Sequence, residues 1–282
     1  MFSLLNSKII GINMKISQKL KKILKIGTIA LATLVPVSAK AQSVFTGLRG
    51  PTEFQVDNRT SYSIKESQTG VESETLANNL ILKYWNGTNN GVFAFANFPY
   101  KYIKSDDNTS RGMGDLSLGI GPRFERKIWE NKLGFLTYIG TVLPTGNKDS
   151  IPALGSGRVD YKTGFFGTIL SSSKRYEADF SLDYTLTEGD EISDDASGGL
   201  VLGGRINDNI RVVVGPTFNY KSGGNNDGDN ALNGRINLRY TPSDSLGKRI
   251  HFELWYDKSI KSHGKSSVKN SDALTLIGRL NF

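Results

Sequence analysis

In the stretch YEADFSLDYTL, residues 176–186, apolar and polar side chains alternate without interruption. Tyr176, Ala178, Phe180, Leu182, Tyr184 and Leu186 form one set; Glu177, Asp179, Ser181, Asp183 and Thr185 form the other. A period of two is the signature of a β-strand, whose successive side chains point to opposite faces. One face here is apolar and the other acidic.

The same pattern recurs between turn-forming residues, and it predicts twelve strands. They run over about 51–66, 71–85, 91–104, 112–127, 133–142, 157–170, 176–187, 195–206, 210–221, 230–241, 249–260 and 270–282. Most reach ten residues or more, whereas soluble sheets favour about five or six and a tilted membrane-crossing strand needs about nine to eleven. An even count lets both ends of the barrel meet on the periplasmic side. Alternate connections are short, as in "IWENK" and "NDN", and the others include the longer "LPTGNKDSIPALGS" and "TEGDEISDD". In hydrocarbon a sheet has no tolerable free edge. The expected fold is therefore an all-β, closed antiparallel transmembrane β-barrel of about 12 strands, occupying residues 42–282 as a single domain. No run of 18 apolar residues offers a spanning helix.

The formal charge of +8 raises the question of a nucleic-acid partner. Seven lysines and no acid lie in residues 1–41, and subtracting these seven from +8 leaves +1 for the rest. The basic segment has its own reading. From Met14, an alternative start, a lysine-rich head precedes an apolar stretch from Ile26 to Val37 and the small-x-small sequence Ala39-Lys40-Ala41. That is a secretory signal peptide over 1–41, cleaved before Gln42. No nucleic-acid partner is expected. The absence of cysteine excludes disulfides and thiolate chemistry.

On the last predicted strand, Leu274, Leu276, Gly278, Leu280 and Phe282 face lipid, while Thr275, Arg279 and Asn281 turn inward. Phe282 in this register resembles the C-terminal signal read by the outer-membrane assembly machinery. Aromatic residues near strand ends fit interfacial girdles: Trp85, Tyr100, Tyr102, Trp129, Tyr161, Tyr176, Tyr220, Tyr240 and Tyr256.

Two stretches, "GMGDLSLGIGPRF" and "GTVLPTGNKDSIPALGSGRVDYKTGFFGT", carry a family resemblance. Gly112, Gly114 and Asp115, then Pro144, Thr145 and Gly146, then Leu154, Gly155 and Gly157 are similar to the motifs of the outer-membrane, transporter-like phenol-degradation meta-pathway family. The resemblance implies a β-barrel grouped with transporters of hydrophobic compounds, and it implies no catalytic residues. In the strand register Asp115 faces inward and Gly112 and Gly114 flank a turn into the fourth strand. Pro144, Thr145 and Gly146 open the longest loop, which either folds into the pore as a constriction or remains an external loop shaped by its turn residues.

Enzymatic chemistry has little to work with. His251 points inward and His263 lies in a loop, so neither pairs with a serine on the outer wall as a barrel lipase requires. No phosphate-binding, dinucleotide or zinc motif occurs, and no cofactor is expected. The acidic loops "EGDEISDD" and "NNDGDN" lack the spacing of a calcium loop.

The inward positions are charged. Arg205, Arg211, Arg235, Arg239 and Arg279 come from later strands; Asp115, Glu125, Glu177, Asp179 and Asp183 come from strands 4 and 7. Arg123, Glu253 and Asp257 interrupt the two groups. Either a basic wall faces an acidic one across the lumen, or the charges pair and fill the interior. The expected protein is an outer-membrane channel or transporter, seated in outer-membrane lipid and passing a small-molecule solute. The resemblance implies hydrophobic or aromatic solutes, whereas the charged lumen suits polar ones. The alternative is a non-conducting structural or adhesion barrel closed by salt bridges.

Overall fold

The computed structural model describes residues 54–67, 72–86, 90–187, 194–222, 229–242, 250–263 and 268–281. All lie in one compact unit, Val37–Phe282. The expected signal segment 1–41, Phe282 and most of both acidic loops lie outside the described residues.

The described residues form β1 (Phe54–Ser67), β2 (Glu72–Asn86), β3 (Asn90–Ser105), β4 (Asn108–Met113), β5 (Leu116–Ile128), β6 (Asn131–Leu143) and β7 (Asp160–Leu170). They continue as β8 (Tyr176–Thr187), β9 (Asp194–Arg205), β10 (Ile210–Ser222), β11 (Asp229–Tyr240), β12 (Ile250–His263) and β13 (Val268–Asn281). Each pairs antiparallel with its neighbours; β1 pairs with both β2 and β13, and β2 with β3, so the sheet closes on itself. β4 and β5 both pair with β3, one after the other along its length, and together make a single stave. The result is a closed antiparallel barrel of twelve staves.

The fourth stave differs from its expected form. It begins at Asn108 rather than at 112, and it is interrupted at Gly114–Asp115 instead of starting there. Gly112 sits inside β4 with φ of 152°, a conformation that side-chain-bearing residues rarely adopt. Gly114 N donates to Pro99 O at 2.8 Å, so the break does not leave this amide unmet.

The register divides each strand into two faces. Leu80, Ile120, Ile139, Leu202, Ile236 and Leu254 are exposed on the outer wall, an apolar surface that suits hydrocarbon rather than water. Tyr84, Tyr176 and Tyr240 mark the end with short connections, and Tyr100, Tyr102, Tyr161 and Tyr220 mark the other. The phenols of Tyr62 and Tyr256, also on the outer face, donate to Glu74 at 2.9 Å and to Asp272 at 3.0 Å. Trp85 does not belong to a girdle. It pairs with Phe93 on the inner face and is 6% exposed, because Tyr84 holds the outward position beside it.

An arginine replacing Ile236, near the middle of β11, is expected to destabilise the barrel in phospholipid vesicles by about 2–4 kcal/mol, against about 0–1 kcal/mol for Tyr240→Arg at the strand end. Denaturant titration of the vesicle-inserted variants measures both.

Candidate functional site in the barrel interior

The barrel seam is built around Asp57, which is fully buried. It lies opposite Arg279 in the β1–β13 pairing, and Arg279 grips it with Nε at 2.6 Å and Nη2 at 2.9 Å. Lys83 Nζ at 2.8 Å, Arg59 Nη2 at 3.2 Å and Gln55 Nε2 at 2.5 Å donate to the same carboxylate. Paired, hydrogen-bonded charge is the form in which a barrel interior can bury ions.

From this seam the charges continue along the wall. Glu253 on β12 lies 3.7 Å from Arg279 and 3.7 Å from Arg239, and it accepts from Trp255 Nε1 at 2.7 Å and Asn237 Nδ2 at 3.1 Å. Arg239 on β11 reaches β8, where it donates to Asp179 at 2.8 Å and to Glu177; Arg211 on β10 donates to Glu177 as well. Thr168 on β7 fixes Asp179 through a 2.6 Å hydrogen bond. Arg239 and Glu177 are three staves apart, so their side chains span β9 and β10 above Gly203 and the fully buried Val213. A Cβ on Gly203 would lie 2.3 Å from Val213 Cγ1, so the wall under this bridge has no room for a larger residue.

The inward charges anticipated from the sequence thus fall into several groups. Glu177, Asp179, Arg211, Arg239, Glu253 and Arg279 share one network. Arg235 makes a two-pronged pair with Asp257 at 2.6 and 3.1 Å, with its guanidinium 4.5 Å from the Trp255 ring centre. Arg123 pairs with Glu125 two residues along its own strand, and Asp183 accepts the Tyr138 phenol at 2.5 Å. Arg205 sits apart, 3.3 Å from Asp208 in a turn at the end with short connections. The acidic and basic sets are not held on opposing walls. Six of them join into one belt because long arginine side chains reach across small residues to the nearest carboxylates, and the others pair locally.

The remaining wall is aromatic. Trp85, Phe93, Leu136 and Tyr138 are buried, with Phe95 and Phe166 packed against them. Ring centres are 5.6 Å apart for Trp85–Phe93, 5.0 Å for the edge-on Phe95–Tyr138 pair and 6.0 Å for the stacked Tyr138–Phe166 pair. Two glycines let these rings lie flat on the sheet. A Cβ on Gly119 would meet Phe95 Cε1 at 2.3 Å, and one on Gly164 would meet Tyr138 Cε1 at 2.2 Å. Between this shelf and the Asp57 cluster lies a cavity of about 180 Å³.

Asp57, Lys83, Arg59 and the aromatic shelf were not singled out by the charge pattern of the later strands. One signal was present: "VFAFA", residues 92–96, is apolar on both faces, with Phe93 and Phe95 inward and Ala94 and Ala96 outward.

The motif residues Gly112, Gly114, Asp115, Pro144, Thr145, Gly146, Leu154 and Gly155, distant in sequence, meet at the break in the fourth stave. Thr145 Oγ1 donates to Gly114 O at 2.8 Å and accepts from Leu116 N at 2.9 Å, replacing the interrupted ladder. Asp115 accepts from Gly146 N at 2.9 Å and Ser156 N at 2.6 Å. Gly155 packs so closely that a Cβ would lie 2.2 Å from Asp115 Oδ1. Lys101 Nζ, on the inner face of β3, donates to Leu154 O at 3.1 Å, and Leu154 is buried. The segment 144–156 is therefore clasped against the inner side of the wall.

These features define a closed transmembrane β-barrel of the outer-membrane type with a structured interior. Among solved structures, the COG4313 outer membrane channel from Pseudomonas putida F1 is similar with a TM-score of 0.64 and 13% identity, over 88% of this chain and all of that one. The NanC porin is similar at 0.48 and 14% identity, over 80% and 100% of the two chains; the CymD monoaromatic hydrocarbon channel is similar at 0.41 and 9%, over 82% and 89%. At such identity the first likeness speaks for the fold. No family profile and no curated protein sequence matches the chain.

Two outcomes are expected. Arg239→Ala leaves three carboxylates short of a partner and lowers unfolding stability by about 3–5 kcal/mol, measured by denaturant titration. Asp115→Ala releases the clasp, so trypsin cuts after Lys148 faster while the barrel keeps its heat-modifiable migration in detergent gels.

Proposed function

We propose that this protein is an exported outer-membrane channel for small molecules. The observation that carries the reading is the closed twelve-stave barrel with an apolar outer wall and an interior that holds both a paired-charge belt and an aromatic cavity. A barrel that served only as an anchor has no need of an aromatic-lined cavity beside a cluster of cations. The reading brings with it the signal peptide over 1–41, a mature start at Gln42, insertion by the assembly machinery with Phe282 as its signal, and residence in outer-membrane lipid.

The two faces of the lumen reconcile the solute expectations. The resemblance to the phenol-degradation meta-pathway family favours hydrophobic or aromatic solutes, and the aromatic shelf offers them a surface. The belt of Lys83, Arg59, Arg239 and Arg279 with their carboxylates favours a polar group on the same molecule. On this reading Pro144, Thr145 and Gly146, clasped inside the wall, narrow the mouth of the channel.

A second reading has its own support. The belt spans β8 to β2, and its buried ion pairs, with Val213 and Arg279 fully shielded, are what a salt-bridged, non-conducting barrel would use. Planar-bilayer recording of the purified protein separates the two. The channel reading expects discrete conductance steps that grow in Asp115→Ala as the inner loop is released; a silent bilayer with correctly folded protein favours the plugged barrel.

A further inference from the structure

The cavity beside the seam has an uneven chemistry. On one side stand Phe95, Tyr138 and Phe166; on the other stand Lys83 and Arg59, and among the described residues no carboxylate lines it. Asp57 lies behind these cations, where it also receives Arg279, so three cations converge on one acid at the cavity's edge. Two buried polar atoms of lining side chains, Trp85 Nε1 and Asn97 Oδ1, have no hydrogen-bond partner among the described residues. Such atoms are costly to bury unless something completes them. An indole N–H donates and an amide oxygen accepts, so the missing partner carries both an acceptor and a donor or comes with water.

Size narrows the choice. An apolar protein cavity of about 150 Å³ admits benzene, so about 180 Å³ here suits one ring with a small substituent. The ring faces available on the shelf favour a flat, apolar body. The cations and the indole N–H favour a negative charge at its edge. A cationic solute would meet Lys83 and Arg59, whose shared partner Asp57 already holds three cations.

We propose that this cavity is a binding site for a small aromatic carboxylate, with the ring on the Phe95–Tyr138–Phe166 shelf and the carboxylate toward Lys83, Arg59 and the Trp85 N–H. The site deepens the channel reading: it rests on a solute passing through the lumen and names the chemical class. It also explains why Gly119 and Gly164 occur under Phe95 and Tyr138, since rings lifted off the wall would fill the space the solute needs.

The test uses the full-length mature barrel in detergent, titrated against para-fluorobenzoate by fluorine NMR, with para-fluorobenzyl alcohol and para-fluorobenzylamine as neutral and cationic counterparts. The benzoate is expected to bind saturably and the amine not at all. Trp85→Phe keeps the ring and removes the donor, and roughly ten-fold weaker binding is expected. Leu136→Trp fills the cavity and is expected to abolish binding, with heat-modifiable migration showing that the variant folds. Equal binding of benzoate and alcohol, benzoate binding undiminished in folded Leu136→Trp, or no saturable binding of benzoate would overturn the proposal. Bilayer conductance recorded on the same preparations keeps the two readings apart. A conducting barrel that ignores benzoate loses this site and keeps the channel; a silent barrel that binds benzoate loses the channel and keeps the site.

Discussion

A sheet surrounded by hydrocarbon must hydrogen-bond every strand to another, so the pairing of β1 with β13 is the contact on which the rest of this molecule depends. The Asp57–Arg279 pair stands directly across that seam on the inner face, and Lys83 ties β2 to the same carboxylate. Closure places ionised groups from the beginning and end of the barrel domain side by side. It also shields them from water, and that strengthens their mutual attraction as well as the penalty for separating them. The belt that runs on to Arg239 and Glu177 extends the same arrangement around the wall.

Much of the fold was legible because the alternation of side chains is itself the division between lipid and lumen. In β8 the apolar set Tyr176 to Leu186 and the polar set Glu177 to Thr185 map directly onto the outer and inner faces. Strand ends were legible to within a few residues wherever turn-forming residues cluster. The fourth stave was not, since its first half, "NTSRGM", lacks strong alternation and has Thr109 as its one β-branched residue. Pairing with β3 holds it in the sheet, a tertiary effect that no local pattern records.

The interior was legible as a list of inward residues and not as an arrangement. Alternation shows that Glu177, Arg211 and Arg239 point into the barrel, but which of them touch depends on side-chain length and on what lies between. Gly203 and Val213 are small enough to be bridged, and that fact lives in the register of four strands. Trp85 shows the opposite error. An aromatic near a strand end suggested the membrane interface, yet a shift of one position moves a side chain through the wall, and its neighbour Tyr84 is the residue that faces out.

The break at Gly114–Asp115 bears on how this barrel can change over time. At described turns such as Ser171–Arg175 and Ile206–Asn209, the strands on either side pair along their own ladders, and the turn only joins them. At the fourth stave the dependence is mutual, because Thr145 and Gly146 stand in for the missing ladder and Asp115 fastens Ser156. The segment from 144 to 156 is a graft in the wall as much as a connection between strands. Its middle is constrained as well, because Ser150 Oγ bonds Asn147 O and Pro152 O at 2.9 Å each, and the glycines at the two ends are held in place by the backbone and carboxylate they touch, so the whole segment can drift only in step with the stave it completes.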